Sequence, residues 1–218
     1  MTITSPELSR TTLGRTGLRV SPVCIGTAAW GVESPVHGIV VPEEDAVETV
    51  HAALASAVNF LDTSNNYGDG ESERRIGAAL AQTTVPDDFV LQTKLDRDPV
   101  TGSFDSGRML RSLEESLERL GMDRVPLLHL HDPEHITFEE AMAPGGPVAA
   151  LVAMRERGFV EHIGVSGGPA TLMRRFVETD IFDALITHNR FTLVDRTADD
   201  LLTVASAAGL GVINAAVY

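Results

Sequence analysis

The chain has 218 residues, 43% of them hydrophobic, enough for one large core or two small ones. Its formal net charge of -14 argues against a non-specific surface for nucleic acid or anionic membrane. Cys24 is the only cysteine, which excludes an internal disulfide and fits a reducing cytoplasm, and neither a signal pattern at Met1 to Glu7 nor a membrane-length apolar run is present.

Residues Arg10 to Ser21 alternate around Gly14-Arg15-Thr16-Gly17, the pattern of a hairpin ahead of the main fold. Val23-Cys24-Ile25-Gly26 reads as a short buried strand, and a loop from Thr27 to Val41 carries the sole tryptophan, Trp30. A helix is predicted from about Pro42, with Glu43, Glu44 and Asp45 in its first turn, where acids suit the helix dipole. Its apolar positions are Val47, Val50 and Leu54. Strand 58–61 then precedes helix 71–80, with Ile76, Ala79 and Leu80 inward. Strand 89–94 precedes helix 106–120, with Leu110, Leu113, Leu117 and Leu120 on one face and Gly121 as its stop. Strand 125–131 leads through a long loop to a helix near 147–157. Strand 162–166 precedes helix 169–178, strand 184–188 precedes helix 198–208, and a last strand runs from Gly211 to about Val217.

This alternation implies a parallel sheet with right-handed crossovers in a single domain, 1–218. Two architectures compete, the doubly wound open sheet and the (β/α)8 barrel. The first turn, Gly26-Thr27-Ala28-Ala29-Trp30-Gly31, lacks the G-x-G-x-x-G of the open dinucleotide-binding sheet. Polar residues fall instead at many strand ends: Asp62, Lys94, His131, Ser166 and His188. That is the barrel's habit, so the expected fold is a TIM-type (β/α)8 barrel, here with seven strands and six main helices after an N-terminal hairpin.

The chemistry centres on Asp62-Thr63-Ser64-Asn65-Asn66-Tyr67-Gly68. Lys94 is the only lysine among 17 basic residues, and Tyr67 is one of two tyrosines. A tyrosine titrates too high to act freely at neutral pH, and an adjacent ammonium favours the phenolate. Asp62 would hold that ammonium in place, and His131 would hydrogen-bond a substrate oxygen or pass a proton. The set makes a tunable phenol that gives a proton to a carbonyl oxygen or takes one from a hydroxyl, with hydride supplied by a borrowed cofactor. Trp30 is a candidate wall for a sugar. Arg74 and Arg75 read as a solvated helix face.

These residues resemble the aldo-keto reductases from about Leu13 to Tyr218. The resemblance rests on Leu13-Gly14-Arg15-Thr16-Gly17-Leu18-Arg19-Val20-Ser21, the Asp62–Gly68 stretch with Glu71-Ser72-Glu73, Thr93-Lys94, His131-Asp132-Pro133 and Gly164-Val165-Ser166. His131-Asp132-Pro133 and His188-Asn189-Arg190-Phe191 are most similar to the branch that oxidises aldoses at C1, the D-threo-aldose or L-fucose dehydrogenase type. The resemblance implies Tyr67 as acid/base, Lys94 and Asp62 as its tuning pair and His131 as the substrate-orienting group. It implies NAD or NADP as cofactor, with Ser166 and His188 at the nicotinamide amide and Gly26 and Thr27 on the cofactor side of the mouth. The substrate implied is a small sugar or carbonyl. His188 stands where many members carry glutamine, Gly167 where many carry asparagine, and Ala215 near a stacking tyrosine.

Three alternatives stay open on the residues. Gly164-Val165-Ser166-Gly167-Gly168 fits the hydrolase elbow, with Asp183 and His188 in hydrolase order, although Pro169 is expected to break the entry into the following helix. His129 and His131 project to one side of a strand, as metal ligands do, with Asp132, Glu134 and His135 nearby. The third is a barrel that binds nicotinamide without catalysis. The count of seven strands also leads to the expectation that an eighth βα unit is missing, with an open edge and weak dinucleotide binding.

Overall fold

The computed structural model describes residues 8–31, 38 and 40–217. The N-terminal segment 1–7, most of the loop after Gly31 and Tyr218 lie outside the described residues. The chain opens with an antiparallel pair, β1 (Thr11–Thr12) and β2 (Arg19–Val20), joined through a 3-10 turn at Gly14–Thr16. Seven parallel strands follow: β3 (Ile25–Gly26), β4 (Phe60–Asp62), β5 (Val90–Leu95), β6 (Val125–His131), β7 (Val160–Gly167), β8 (Ala184–His188) and β9 (Gly211–Ala215). Each pairs with the next in sequence order, from β3 to β9. The crossovers carry α1 (Glu43–Leu54), α2 (Glu71–Leu80), α3 (Ser106–Leu120), α4 (Phe138–Met142), α5 (Pro147–Glu156), α6 (Ala170–Val177) and α7 (Asp199–Ala207). This is the α/β, TIM-type architecture expected from the alternation, a nearly closed barrel in which β3 and β9 are the two ends of the sheet.

Strand periodicity sorts the core into two layers. Leu91, Leu95, Leu128, Leu130, Ile163, Val165 and Leu185 face outward and pack with the helices in one large cluster. Phe60, Val90, Leu127 and Ala184 face inward and meet Leu13 and Val20 of the hairpin, which plug the amino-terminal end of the barrel. At roughly 1.5–3 kcal/mol for each fully buried large apolar side chain, this plug is a substantial part of the interior packing. With the bottom filled by apolar side chains, the inward polar residues Asp62, Gln92, Lys94, His129, His131 and Ser166 occupy the carboxyl-terminal half.

Several elements differ from the sequence reading. The strand expected over Val23–Gly26 shrinks to Ile25–Gly26 and is not buried: Val23 is 54% exposed, because among the described residues β3 has a neighbour on one side only. The long loop after β6 contains a 3-10 turn at Pro133–His135 and α4, which starts with a Thr137/Glu140 capping box. In α3 the buried stripe runs through Met109, Leu113, Ser116 and Leu120, leaving Leu110 at 37% exposure. The stripe is rotated by one residue because Arg108 and Ser112 turn inward to serve Asn65 and Asp96. Pro169 sits at the N-cap of α6, which begins directly at Ala170, so it does not break the helix entry. Arg75 is not solvated: its guanidinium donates to the carbonyls of Trp30 (2.7 Å) and Val41 (2.8 Å), and so ties down both ends of the first loop. Arg74 is exposed and pairs with Glu71.

Candidate active site

Asp62 ends β4 and lies in register with Gln92 of β5; Lys94 lies two residues further along the same inward row. The Lys94 side chain is enclosed, with the residue 1% exposed. An ammonium that deep needs all its protons engaged. Its Nζ donates to Asp62 Oδ2 (2.7 Å), to the Thr63 carbonyl (2.7 Å) and to the Tyr67 hydroxyl (3.1 Å). Burial alone would lower the Lys94 pKa, but Asp62 and Tyr67 outweigh it and hold the lysine charged, well above its usual range. Gln92 Nε2 donates to the other Asp62 oxygen (2.7 Å), and the Gln92 side-chain oxygen Oε1 lies 3.1 Å from His129 Nε2. His129 is thus a hydrogen-bonded interior residue that orients Gln92, and burial followed by Lys94 pushes its pKa well down, so it is neutral.

Tyr67 is carried by a turn that the sequence builds from small and polar residues. Gly68 has φ 59°, and a Cβ there would come within 2.1 Å of Gly31 Cα; the two loops cross backbone to backbone. Asn65 holds the turn from below. Its amide donates to the Ser112 carbonyl (3.0 Å), its side-chain oxygen accepts from Arg108 (2.9 Å), and its carbonyl accepts from Arg119 (2.8 Å). Thr93 projects to the outer face and donates to the buried Glu73 of α2 (2.6 Å). The phenol is therefore fixed in place. Its pKa is raised by burial, with Lys94 opposing but not reversing the shift, so the ammonium moderates the phenol rather than making it a phenolate. The lysine pulls the phenol toward the phenolate as expected, and desolvation is the larger, opposing effect.

His131 ends β6 with its ring 5.8 Å from the Tyr67 ring in an edge-to-face arrangement. Ser166 of β7 is in register with it, and His188 ends β8. Asp62, Tyr67, Lys94 and His131 thus share the carboxyl-terminal mouth, with Ser166 and His188 on the adjoining wall. Gly26 lies in register with Asp62 on the end strand, with open space where a Cβ would stand. Thr27 is placed differently from the expectation: it is fully buried, its hydroxyl donates to the Asp62 carbonyl (2.9 Å) and accepts from Ser72 (2.7 Å), so it braces β4 and α2. Trp30 likewise belongs to the main apolar cluster at 8% exposure, packed as a core residue rather than as an open sugar wall.

The hydrolase constellation does not assemble. Asp183 precedes β8 at the amino-terminal end, where it binds the Ile163 amide (3.0 Å) and Arg155 (3.3 Å), whereas Ser166 is at the opposite end of β7. Asp132, Glu134 and His188 do approach one another, with one ligand atom from each within 4.8 Å, but His129 is committed to Gln92. Two residues of the site that the sequence reading missed are Ser64 and Asp96. Ser64 Oγ donates to Asp96, and Asp96 Oδ1 is 2.7 Å from His131 Nδ1. The available signal was periodicity: Asp96 is two residues past Lys94 and continues its inward row.

Residues 22–217 match the model of the aldo/keto reductase family. The chain belongs to the aldo/keto reductase family. Within it, the chain is 36% identical over 208 residues to an L-galactose dehydrogenase of Arabidopsis thaliana, covering 93% of this chain and 63% of that protein. It is 30% identical over 201 residues to a D-threo-aldose 1-dehydrogenase of a Pseudomonas species, covering 81% of this chain and 60% of the relative. The chain therefore spans somewhat over half the length of these two curated relatives. Among solved structures, a putative aldo-keto reductase from Pseudomonas aeruginosa superimposes with a TM-score of 0.81 at 24% identity, over 98% of this chain and 80% of that one. The holo form of an aldo-keto reductase from Bacillus halodurans gives 0.79 at 20% identity, over 95% and 65%. Both likenesses speak to the fold.

Proposed function

We propose that this aldo/keto reductase chain is one barrel domain of a cytoplasmic NAD- or NADP-dependent oxidoreductase that acts on an aldose C1 hydroxyl or a small carbonyl, with Tyr67 as acid/base. The observation that carries the reading is Lys94 Nζ, enclosed between Asp62 Oδ2 and the Tyr67 hydroxyl. Nicotinamide, when bound, supplies the hydride transfer. The wall between Ser166 and His188 offers a hydroxyl and an imidazole, with Ile186 and Ile213 in register with Ser166, a donor set that fits an uncharged aromatic amide. Gly26 leaves open space on the cofactor side.

The chain's own residues handle the proton. With burial holding the phenol protonated, Tyr67 gives its proton to the substrate carbonyl oxygen, and the Lys94 ammonium stabilises the phenolate that remains. In the oxidative direction that phenolate takes the proton from the C1 hydroxyl. Asp62 keeps the lysine charged and aimed, and Gln92 fixes Asp62. The names of the two curated relatives favour an aldose as the substrate. Incubating purified protein with NAD or NADP and a panel of aldoses, including L-galactose and L-fucose, tests this. Aldose-dependent formation of reduced nicotinamide is the expected result. Hydrolysis of an ester, or activity that requires an added metal ion, would overturn it.

A further inference from the structure

Asp96 is 7% exposed, and its carboxylate is engaged by the loop that carries Tyr67 on one oxygen and by His131 of β6 on the other. Oδ2 accepts from the Ser64 hydroxyl and from the Asn66 amide (3.1 Å), while Oδ1 lies 2.7 Å from His131 Nδ1. Its own amide donates to Ser112 (3.0 Å), and its carbonyl accepts from Arg108 (3.0 Å), so the residue is held from both faces. We propose that Asp96 is a positioning residue that fixes a hydrogen on His131 Nδ1 and thereby presents Nε2 to the substrate oxygen as a charged N–H donor. The proposal rests on the reading of His131 as the group that meets the substrate.

The tautomer follows from counting hydrogens. Burial would raise the Asp96 pKa, but His131 and the Ser64 and Asn66 donors outweigh it and hold Asp96 ionised, so it has no hydrogen to give. The single Ser64 hydroxyl hydrogen goes to Asp96, so Ser64, although 2.9 Å from Nδ1, does not donate to it. The hydrogen between Asp96 Oδ1 and His131 Nδ1 therefore belongs to the histidine. A neutral His131 with Nδ1 occupied carries a lone pair at Nε2 and can only accept there; it becomes a donor at Nε2 only as the imidazolium.

The surroundings favour that cation. Burial opposes it, and Lys94 opposes it in turn, but Asp96 outweighs both and raises the His131 pKa, with Asp132 assisting from 3.8 Å on the Nε2 side. Of the remaining neighbours, Tyr67 is protonated and His129 is neutral, while His188 lies 3.7 Å from the same Asp132 oxygen. Carbonyl reduction, which needs a donor at the substrate oxygen, is thus favoured below the His131 midpoint. Above it Nε2 is an acceptor, suited to the hydroxyl of the oxidative direction.

Titrating protein labelled with nitrogen isotope in its histidines, with His131 assigned through His131→Gln, reads the proposal directly by NMR. In the wild type, the His131 midpoint should lie above the ordinary histidine value of 6.5, with hydrogens on both nitrogens below it and the Nδ1 hydrogen kept above it. Asp96→Asn should move the midpoint to lower pH and reduce the kcat of carbonyl reduction at neutral pH roughly tenfold or more, with a smaller change in KM. Asp96→Glu should restore part of both. A wild-type His131 whose midpoint lies at or below the ordinary 6.5, that lacks the Nδ1 hydrogen, or whose midpoint is unmoved in Asp96→Asn overturns the proposal. If Asp96→Asn does not fold, the wild-type titration decides, with Ser64→Ala as the milder variant. Full activity in Tyr67→Phe would instead remove the catalytic reading, and the His131 titration would still decide the role of Asp96.

Discussion

Replacing Lys94 by Met keeps the aliphatic stem and removes the ammonium. Three hydrogen bonds go with it, and Asp62, whose side chain is 16% exposed, keeps Gln92 as its remaining side-chain donor. Removing one member of a buried ion pair costs about 3–5 kcal/mol, because the other charge is left in a low-dielectric site. For a chain of this size about 1 kcal/mol corresponds to about 2–4 °C, so Lys94→Met should lower Tm by about 6–20 °C. Asp62→Asn together with Lys94→Met removes both charges, and that double variant should recover a good part of the loss. The pH dependence has a definite sign. The folded-state pKa of Lys94 is raised, so its contribution is complete below the ordinary lysine value of 10.5 and is lost only as pH rises through the higher folded value. The wild-type advantage should therefore be flat across the neutral range. Differential scanning fluorimetry on the wild type, each single variant and the double variant measures all of this. A Tm for Lys94→Met within about 2 °C of wild type would refute the enclosed ion pair, as would losses in the double variant that simply add.

The neighbouring elements give further expectations. Gly68→Ala places a Cβ against Gly31 at a left-handed φ, whereas Gly102→Ala has a similarly positive φ of 74° with open space around it. The first should lose more Tm than the second, whose strain alone is worth roughly 1–2 kcal/mol, and equal losses would contradict the backbone crossing. Asp96 is held below its ordinary 3.8 and His131 above its ordinary 6.5, so their pairing stabilises fully between those values. It is lost as pH falls through the Asp96 value or rises through that of His131. The Tm deficit of Asp96→Asn should be greatest in that window; a deficit that grows above neutral pH would show that the carboxylate acts otherwise.

The barrel was legible because its strands announce themselves twice. Leu128 and Leu130 alternate with His129 and His131 in β6, and the outward leucines pack beneath helices while the histidines enter the barrel. Asp62, Lys94 and His131 were readable as a group because each is a polar residue at the carboxyl end of a strand. What the sequence concealed depends on distant partners. Nothing local in Arg75 shows that it reaches the carbonyls at both ends of the first loop, 34 and 45 residues away. Thr27 and Trp30 looked like mouth residues because they follow the first strand, yet bonds to Asp62 and Ser72 bury the one and apolar packing buries the other. Asn65 reads as one polar residue in a polar loop, and only α3 reveals it as the brace of that loop. The rotation of α3 away from Leu110 has the same origin, since an arginine and a serine claim the inward face that leucine spacing alone would assign.

The most direct test of the central claim is Tyr67→Phe, which removes the hydroxyl 3.1 Å from Lys94 Nζ and little else. Cofactor affinity, followed by fluorescence titration with NAD and NADP, should stay near that of the wild type. Turnover of an aldose that the wild type oxidises should fall by about 10²- to 10⁴-fold, the usual share of a positioned acid/base. Turnover unchanged in Tyr67→Phe, with the cofactor still bound, would show that the proton moves through another group and that Tyr67 is not the acid/base.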